Sequence, residues 1–179
     1  MKKTILILLA ICIAPLCYAQ PFQKGKTAVN VGIGLGTSLG GLGESRPAIS
    51  ASVDHGLWEI GGSGNISLGG YLGNTGYRYT DLGYTDKWNY VVAGVRGAYH
   101  YTGFTSVPNL DVYGGAMLGY NIVSYSSEGN GNSLSGNYGS GMVLSGFLGG
   151  RWFFSERVGV YAELGYGVSV LNAGVSFMF

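Results

Sequence analysis

Apolar residues recur at every second position in eight separate stretches of this chain, and that period restricts the fold more than any other feature. Extended chain points successive side chains to opposite faces. A two-residue period therefore writes a strand with one apolar face and one small or polar face. The clearest stretch is the last, LNAGVSFMF, which closes at Phe179. Counted back by twos, Phe177, Val175, Ala173 and Leu171 share a face with Phe179, while Met178, Ser176, Gly174 and Asn172 take the other. Earlier stretches repeat the pattern: Val29, Val31, Ile33 and Leu35; Ile49, Ala51 and Val53; Ile66 and Leu68; Val91, Ala93 and Val95; Leu110, Val112 and Leu118; Leu144, Leu148 and Trp152; Val160, Ala162 and Leu164. No 3.6-residue period follows residue 20, so the reading is all-β.

The N-terminus stands apart. MKK supplies positive charge, TILILLAICIAPL an apolar core, and CYA the small residues Cys17 and Ala19 that a signal peptidase cuts after. This predicts a signal peptide over 1–19 and one mature domain over 20–179, beginning near Gln20. The other reading, a membrane anchor, meets an apolar run shorter than the roughly 20 residues a span needs. A lipid-modified cysteine is disfavoured by Leu16 before Cys17 and Ile11 before Cys12. Both cysteines fall inside the signal, so the mature chain has no thiol chemistry and needs no disulfide. Of 10 basic residues, removal of Lys2 and Lys3 leaves 8 against 9 acidic ones, a mature net charge of −1. No basic patch points to nucleic acid.

Charged residues make up only 11% of the chain, with 34 Gly and 14 Tyr, which is odd for a soluble domain. No mature segment is long and apolar enough for a membrane helix. Strands that are half polar hide their hydrophobicity from a window average, and this is the signature of transmembrane β-barrels. Eight strands of about 10 residues each would suffice to span. An even number lets the sheet close, and closure removes the edge N–H and C=O groups that lipid cannot satisfy. Connections 37–47, 74–89 and 124–141 are long and polar; 56–65, 102–109 and 155–157 are shorter. Short turns belong on the periplasmic side and long loops outside, which puts both termini in the periplasm. A ten-stranded count that splits 124–141 is the minor alternative.

The signal sequence, the eight alternating strands and the ending LNAGVSFMF together resemble small outer-membrane β-barrel proteins of the OmpX/OmpA-barrel type. The resemblance covers the whole mature chain. It implies an eight-stranded antiparallel transmembrane up-and-down β-barrel, integral to a bacterial outer membrane and monomeric. It also implies that Leu171, Val175, Phe177 and Phe179 form the signal read by the barrel-assembly machinery during insertion. Outer-membrane lipid is the other expected partner, beside an extracellular ligand that the sequence does not identify.

With apolar positions facing lipid, the remaining ones face a lumen just wide enough for side chains. Asp54, Arg96, His100, Asp111, Arg151 and Glu163 then form an interior charge network. Turn arithmetic sets Arg151 opposite Glu163 and His100 opposite Asp111, with Asp54 and Arg96 at similar depth. The favoured reading is a plug of buried ion pairs; the sharper ones are an ion or proton path, or a catalytic site. A lipid hydrolase would want a Ser–His–acid set near the outer leaflet, whereas His55 and His100, the two histidines, lie near periplasmic turns. His100 with Asp111 makes too few ligands for a metal, and the glycines of GIGLGTSLGGLG lack the helix and Lys-Ser/Thr pair of a phosphate loop. No cofactor is expected.

Tyr77, Tyr79, Tyr84 and Trp88, with Tyr90 and Tyr120, read first as an interfacial aromatic girdle. Their second reading is a recognition surface on the outer loops. The function expected is structural and surface-facing, without catalysis. The runner-up is a narrow pore for ions or small solutes.

Overall fold

The computed structural model describes residues 22–36, 44–81, 84–129, 132–136, 139–165 and 167–179; of Glu44, Asp81, Tyr84, Glu128, Gly129 and 132–135 it describes the backbone alone. The expected signal peptide, Gln20 and residues 37–43 of connection 37–47 lie outside the described residues.

Among the described residues nine strands follow one another: β1 (Thr27–Leu35), β2 (Glu44–Ile60), β3 (Gly64–Asp81), β4 (Tyr84–Tyr101), β5 (Leu110–Gly129), β6 (Asn132–Gly136), β7 (Gly141–Phe153), β8 (Val158–Gly165) and β9 (Leu171–Met178). Eight of them close a ring of antiparallel neighbours, β1-β2-β3-β4-β5-β7-β8-β9, with β9 pairing back onto β1. The short β6 stands outside the ring and, among the described residues, pairs with the top of β5 alone. Connection 124–141 thus holds one short extra strand and adds nothing to the membrane ring.

The faces are those of a barrel in hydrocarbon. Ile33, Ile49, Leu68, Leu72, Val95, Leu118, Leu144 and Leu164 point outward and are exposed, while Asp54, Arg96, His100, Asp111 and Arg151 are 0–2% exposed inside. This inversion of a soluble core is stable only where lipid covers the belt. Exposed Trp58, Tyr99, Tyr101, Trp152 and Phe154 ring its lower end, where amphipathic rings suit the interface.

Two expectations are corrected here. Residues 74–81, 84–89 and most of 124–141 are not loops. β3 continues to Asp81, β4 begins at Tyr84, and β5 runs on to Gly129. Polarity there marks departure from lipid, not departure from the strand: Thr75, Tyr77, Tyr79, Trp88, Tyr90 and Tyr125 are good strand formers. The strands are also unequal, with 17 to 20 residues in β2–β5 and 8 to 13 in β1 and β7–β9. At about 3.3 Å per residue and a tilt near 40°, an 18-residue strand rises about 45 Å, against an apolar band about 25 Å tall. One side of the barrel therefore stands about 20 Å above the membrane as an open wall.

The closing seam involves the expected assembly signal. Leu171, Val175 and Phe177 face outward on β9 opposite Leu35, Val31 and Val29. Phe179 exchanges two backbone hydrogen bonds of 2.9 Å with Thr27 and leaves its ring exposed.

Candidate functional site

Inward positions of five ring strands, β2, β4, β5, β7 and β8, bring the charged side chains together. Arg96 on β4 donates to Glu163 of β8 at 2.7 and 3.3 Å. Its Nε lies 3.0 Å from Asp54 Oδ1 of β2, an ion-pair contact off the direction of a hydrogen bond. The other Asp54 oxygen takes Arg151 Nη2. Arg151 on β7 also donates from Nη1 to Asp111 of β5 at 2.9 Å and from Nε to Asn30 at 3.0 Å. Asp111 faces His100 Nδ1 at 3.0 Å, and His100 Nε2 faces Ser67 Oγ at 2.8 Å. An unbroken polar chain, Glu163–Arg96–Asp54–Arg151–Asp111–His100–Ser67, thus crosses the lumen. Rings cover the guanidinium groups, with Arg96 3.8 Å from the Phe147 centroid and Arg151 4.2 Å from that of Tyr113.

All six residues expected in an interior network lie in this chain, but two pairings differ. Arg151 stands opposite Tyr161, and Glu163 opposite Gly149. His100 stands opposite Tyr113, so its contact with Asp111 is diagonal. Each observed partner is two residues from the expected one, because turn centres cannot be placed to one residue from sequence. A slip of two keeps every side chain on its face and changes whom it meets.

Two interior glycines make the contacts possible. Gly69 lies between Asp54 and Arg96 in one row across β2, β3 and β4. Having no side chain, it lets those two meet over its backbone. Gly149 lies between Tyr113 and Glu163. A Cβ there would sit 2.6 Å from Tyr113 Cζ, in the path by which the Tyr113 hydroxyl donates to Glu163 at 3.1 Å.

Sequence reasoning missed Phe22. This residue precedes β1, is fully buried, and packs at a tilt of 31° with its ring centroid 4.1 Å from that of His100. With Ala28, Phe153 and Met178 it forms an apolar cluster under the charge network. Asn65 fastens it, donating to the Phe22 carbonyl at 3.1 Å and accepting from Lys24 N–H at 3.2 Å. An isolated aromatic outside any alternating stretch carries no periodic signal, so nothing in the pattern pointed to it.

The Ser67–His100–Asp111 geometry is that of a proton relay. Ser67 is 1% exposed. Its own N–H belongs to a strand interior, where backbone donors serve the ladder rather than an oxyanion. Asp111 is shared with Arg151. The arrangement orients the imidazole within the plug and offers a substrate no approach. Among the described residues no group of three His, Asp or Glu side chains could hold a metal. His55 faces outward at the lower end, where Thr27 Oγ1 lies 2.9 Å from its Nδ1. Beside Arg96 and Glu163 the remaining void is about 10 Å³, room for about one water.

Above the membrane the aromatic residues are placed differently from a girdle. Tyr77, Trp88 and Tyr125 share one row across β3, β4 and β5, on the face that continues the lumen. Tyr77 and Trp88 stack at 4.5 Å and 3°, and Trp88 meets Tyr125 at 4.8 Å. The Tyr125 hydroxyl donates to Asp86 at 2.9 Å. Burial among these rings raises the Tyr77 phenol above its ordinary pKa, with Asp86 and Tyr125 adding to the shift. The rings spend their faces on one another and so form a stiffening rib, while Tyr79 at the top is exposed. The side chain of Tyr84 lies outside the described residues.

No protein-family model matches the chain, and no curated protein matches its sequence. Solved structures do resemble it. The N-terminal β-barrel domain of OprF from Pseudomonas aeruginosa superimposes with a TM-score of 0.53 at 15% identity, over 88% of this chain and 100% of that one. Ail, the attachment invasion locus protein of Yersinia pestis, solved with the heparin analogue sucrose octasulfate, gives 0.53 at 12% identity over 88% and 100%. Neisserial surface protein A gives 0.38 at 18% identity over 86% and 91%. The chain has the fold of the small eight-stranded outer-membrane β-barrels.

Proposed function

We propose that this protein is an integral barrel of a bacterial outer membrane with a structural and surface-facing role. In this reading the membrane ring is sealed, and it holds up an extracellular sheet for contact in adhesion or defence. No catalysis and no conduction belong to it. The observation that carries it is the contrast between a lumen filled by paired charges and Phe22 and a wall that extends β2–β5 far above lipid. A sealed ring needs no tall wall for its own stability, so the wall is the part left for function.

Two measurements test this. Refolded protein without residues 1–19 should be silent in planar bilayers. Discrete, reproducible steps from demonstrably folded barrel would overturn the sealed reading in favour of a narrow pore lined by Arg96, Arg151 and Glu163. On cells, replacing 77–88 by a two-residue turn should leave insertion intact and remove surface adhesion or serum survival. Unchanged behaviour with both properties measurable in the parent would sink the surface role.

A further inference from the structure

Charge pairing alone does not make a lumen watertight, since paired ions stay hydrophilic; an apolar constriction does, by shedding water. Among the described residues two such closures bracket the charge chain, and they are built differently. The lower one, Phe22, is fastened on several sides. Asn65 holds its carbonyl and the Lys24 N–H, and the arm behind it exchanges backbone hydrogen bonds of 2.9 Å with Gly56 from Gly25 and Lys26. The upper one is a single side chain. Val168, in the connection between β8 and β9, turns into the lumen and is 0% exposed among Ala48, Tyr71, Val92 and Met117, with Phe147 alongside.

Glycines cut the seat of this side chain. A Cβ at Gly73 would stand 2.6 Å from a Val168 methyl, and one at Gly34 would overlap Ser169 Oγ. Ser169 Oγ donates to Asn172 Oδ1 at 2.7 Å, Val170 N–H donates to the Gly36 carbonyl at 2.7 Å, and the Val170 carbonyl accepts from Gly165 N–H at 3.0 Å. Gly165 and Gly167 stand just before Val168, and small residues of this kind absorb hinge rotation. Residues 167–169 divide two hollows. Below them is the void of about 10 Å³ beside Arg96 and Glu163, which Tyr71, Ser145 and Asn172 also line. Above them is one of about 90 Å³, lined by Ser45, Arg46, Ala48 and Thr75, with Val168 and Ser169 as its floor. Swinging this one segment outward joins the two hollows and opens the Arg96–Glu163 pair to the outside. The segment belongs to no strand, so the ladder of the ring is untouched.

We infer that residues 167–170 form a hinged lid, closed in this structure, that controls access from the cell exterior to the Arg96–Glu163 pair. The inference rests on the sealed reading proposed above and adds where that seal opens. With Phe22 in place below, an open lid gives entry to the upper lumen without passage through it.

Both cysteines precede residue 20, so in protein refolded without residues 1–19 a cysteine placed by mutation reports alone. S145C lies under the lid at a position 6% exposed, and S176C at a fully buried inward position lower in the barrel. The protein in lipid vesicles is treated with iodoacetamide and alkylation is followed by mass spectrometry, each rate taken relative to the same cysteine in urea-unfolded chain. S145C should react roughly ten- to a hundredfold more slowly than when unfolded, the weight of burying one valine. That rate should be flat through low urea, because a local opening exposes little new surface. V168A, two carbons smaller, should raise it roughly tenfold, and G73A, which pushes on the lid from the barrel wall, should raise it too. S176C should stay protected in every background. Heat-modified gel mobility verifies that each variant is folded. Reaction of S145C only through global unfolding, steep in urea, would make Val168 a fixed cap and overturn the lid while the sealed reading stands. A rate unmoved by both V168A and G73A would overturn the lid as well. Fast reaction of S145C and S176C together, with Val168 in place, would overturn the lid and the sealed reading at once.

Discussion

Glu163→Gln separates the observed network from the one that turn arithmetic would write. Glu163 accepts two hydrogen bonds from Arg96, at 2.7 and 3.3 Å, and one from Tyr113 at 3.1 Å. Removing one partner of a buried pair costs about 3–5 kcal/mol. Arg96 keeps Asp54 at 3.0 Å, and Gln still offers one acceptor, so the low end, about 3 kcal/mol, applies. With a urea slope near 2 kcal/mol/M, the unfolding midpoint should fall by about 1.5 M. The decisive quantity is coupling. In double-mutant cycles read by urea unfolding in lipid vesicles, Glu163→Gln with Arg96→Met should show about 2–3 kcal/mol of interaction. Glu163→Gln with Arg151→Met should show below about 1 kcal/mol, because the two make no direct contact and meet through other side chains, Asp54 with Arg96 on one path and Tyr113 on the other. Coupling to Arg151 that equals or exceeds coupling to Arg96 would refute the register described here, and an unmoved midpoint would refute the pairing altogether.

Other expectations follow from single contacts. Phe22→Ala should lower stability by about 3–5 kcal/mol in the same urea assay, as for a core Phe, and a midpoint within error of wild type would show that the N-terminal arm is not seated. Gly149→Ala should cost about 1–3 kcal/mol by driving a Cβ into Tyr113 and the Ala162 carbonyl. Gly150→Ala, whose Cβ would meet nothing nearer than the Asp111 carbonyl at 3.8 Å, should stay within about 0.5 kcal/mol. Trp88→Ala should speed protease cleavage above the membrane in vesicle-embedded protein, as the rib loses about 1 kcal/mol of ring stacking, with no change in the barrel's urea midpoint. Replacing Asp54, Arg96, Asp111, Arg151 and Glu163 together by apolar residues of like volume should leave a folded barrel of mixed register. Cross-strand disulfide trapping at positions two residues apart reads this out, and exclusive trapping of the native pairs would contradict it.

What could be read from sequence was whatever a period of two determines. Lipid selects the outward set so strongly that Ile33, Leu68, Val95 and Leu144 identify their faces unaided. Asp54, Arg96, Asp111, Arg151 and Glu163 then fall inside by parity alone. Partner choice was not legible, because it depends on where each hairpin turns. The β7–β8 and β4–β5 turns were both displaced enough to move partners by two residues. The wall is hidden because Tyr77, Thr80, Thr85 and Trp88 are polar or amphipathic and read as loop, although threonine and aromatic residues favour strands wherever a neighbour completes the ladder. The seating of Phe22 depends on a single residue outside any period.

The same degeneracy gives the buried charges a role that stability alone does not. Alternation tells each strand which face to turn inward, but it is blind to a slip of two residues, since Val31 and Ile33, or Leu68 and Gly70, serve lipid almost equally well. A barrel written only in alternating letters would have several closures of similar energy. In the charge chain each link has a definite partner. Slide β8 by two residues and Glu163 leaves Arg96; slide β7 and Arg151 loses both Asp54 and Asp111. Either slip strands a buried ion, a cost of several kcal/mol, comparable to the whole margin by which small domains are stable. Gly69 and Gly149 sharpen the penalty, because each gap lies beneath one particular crossing of side chains. Lipid thus decides the faces, the interior ions decide the register, and the ring closes at Phe179 against Thr27 in one way.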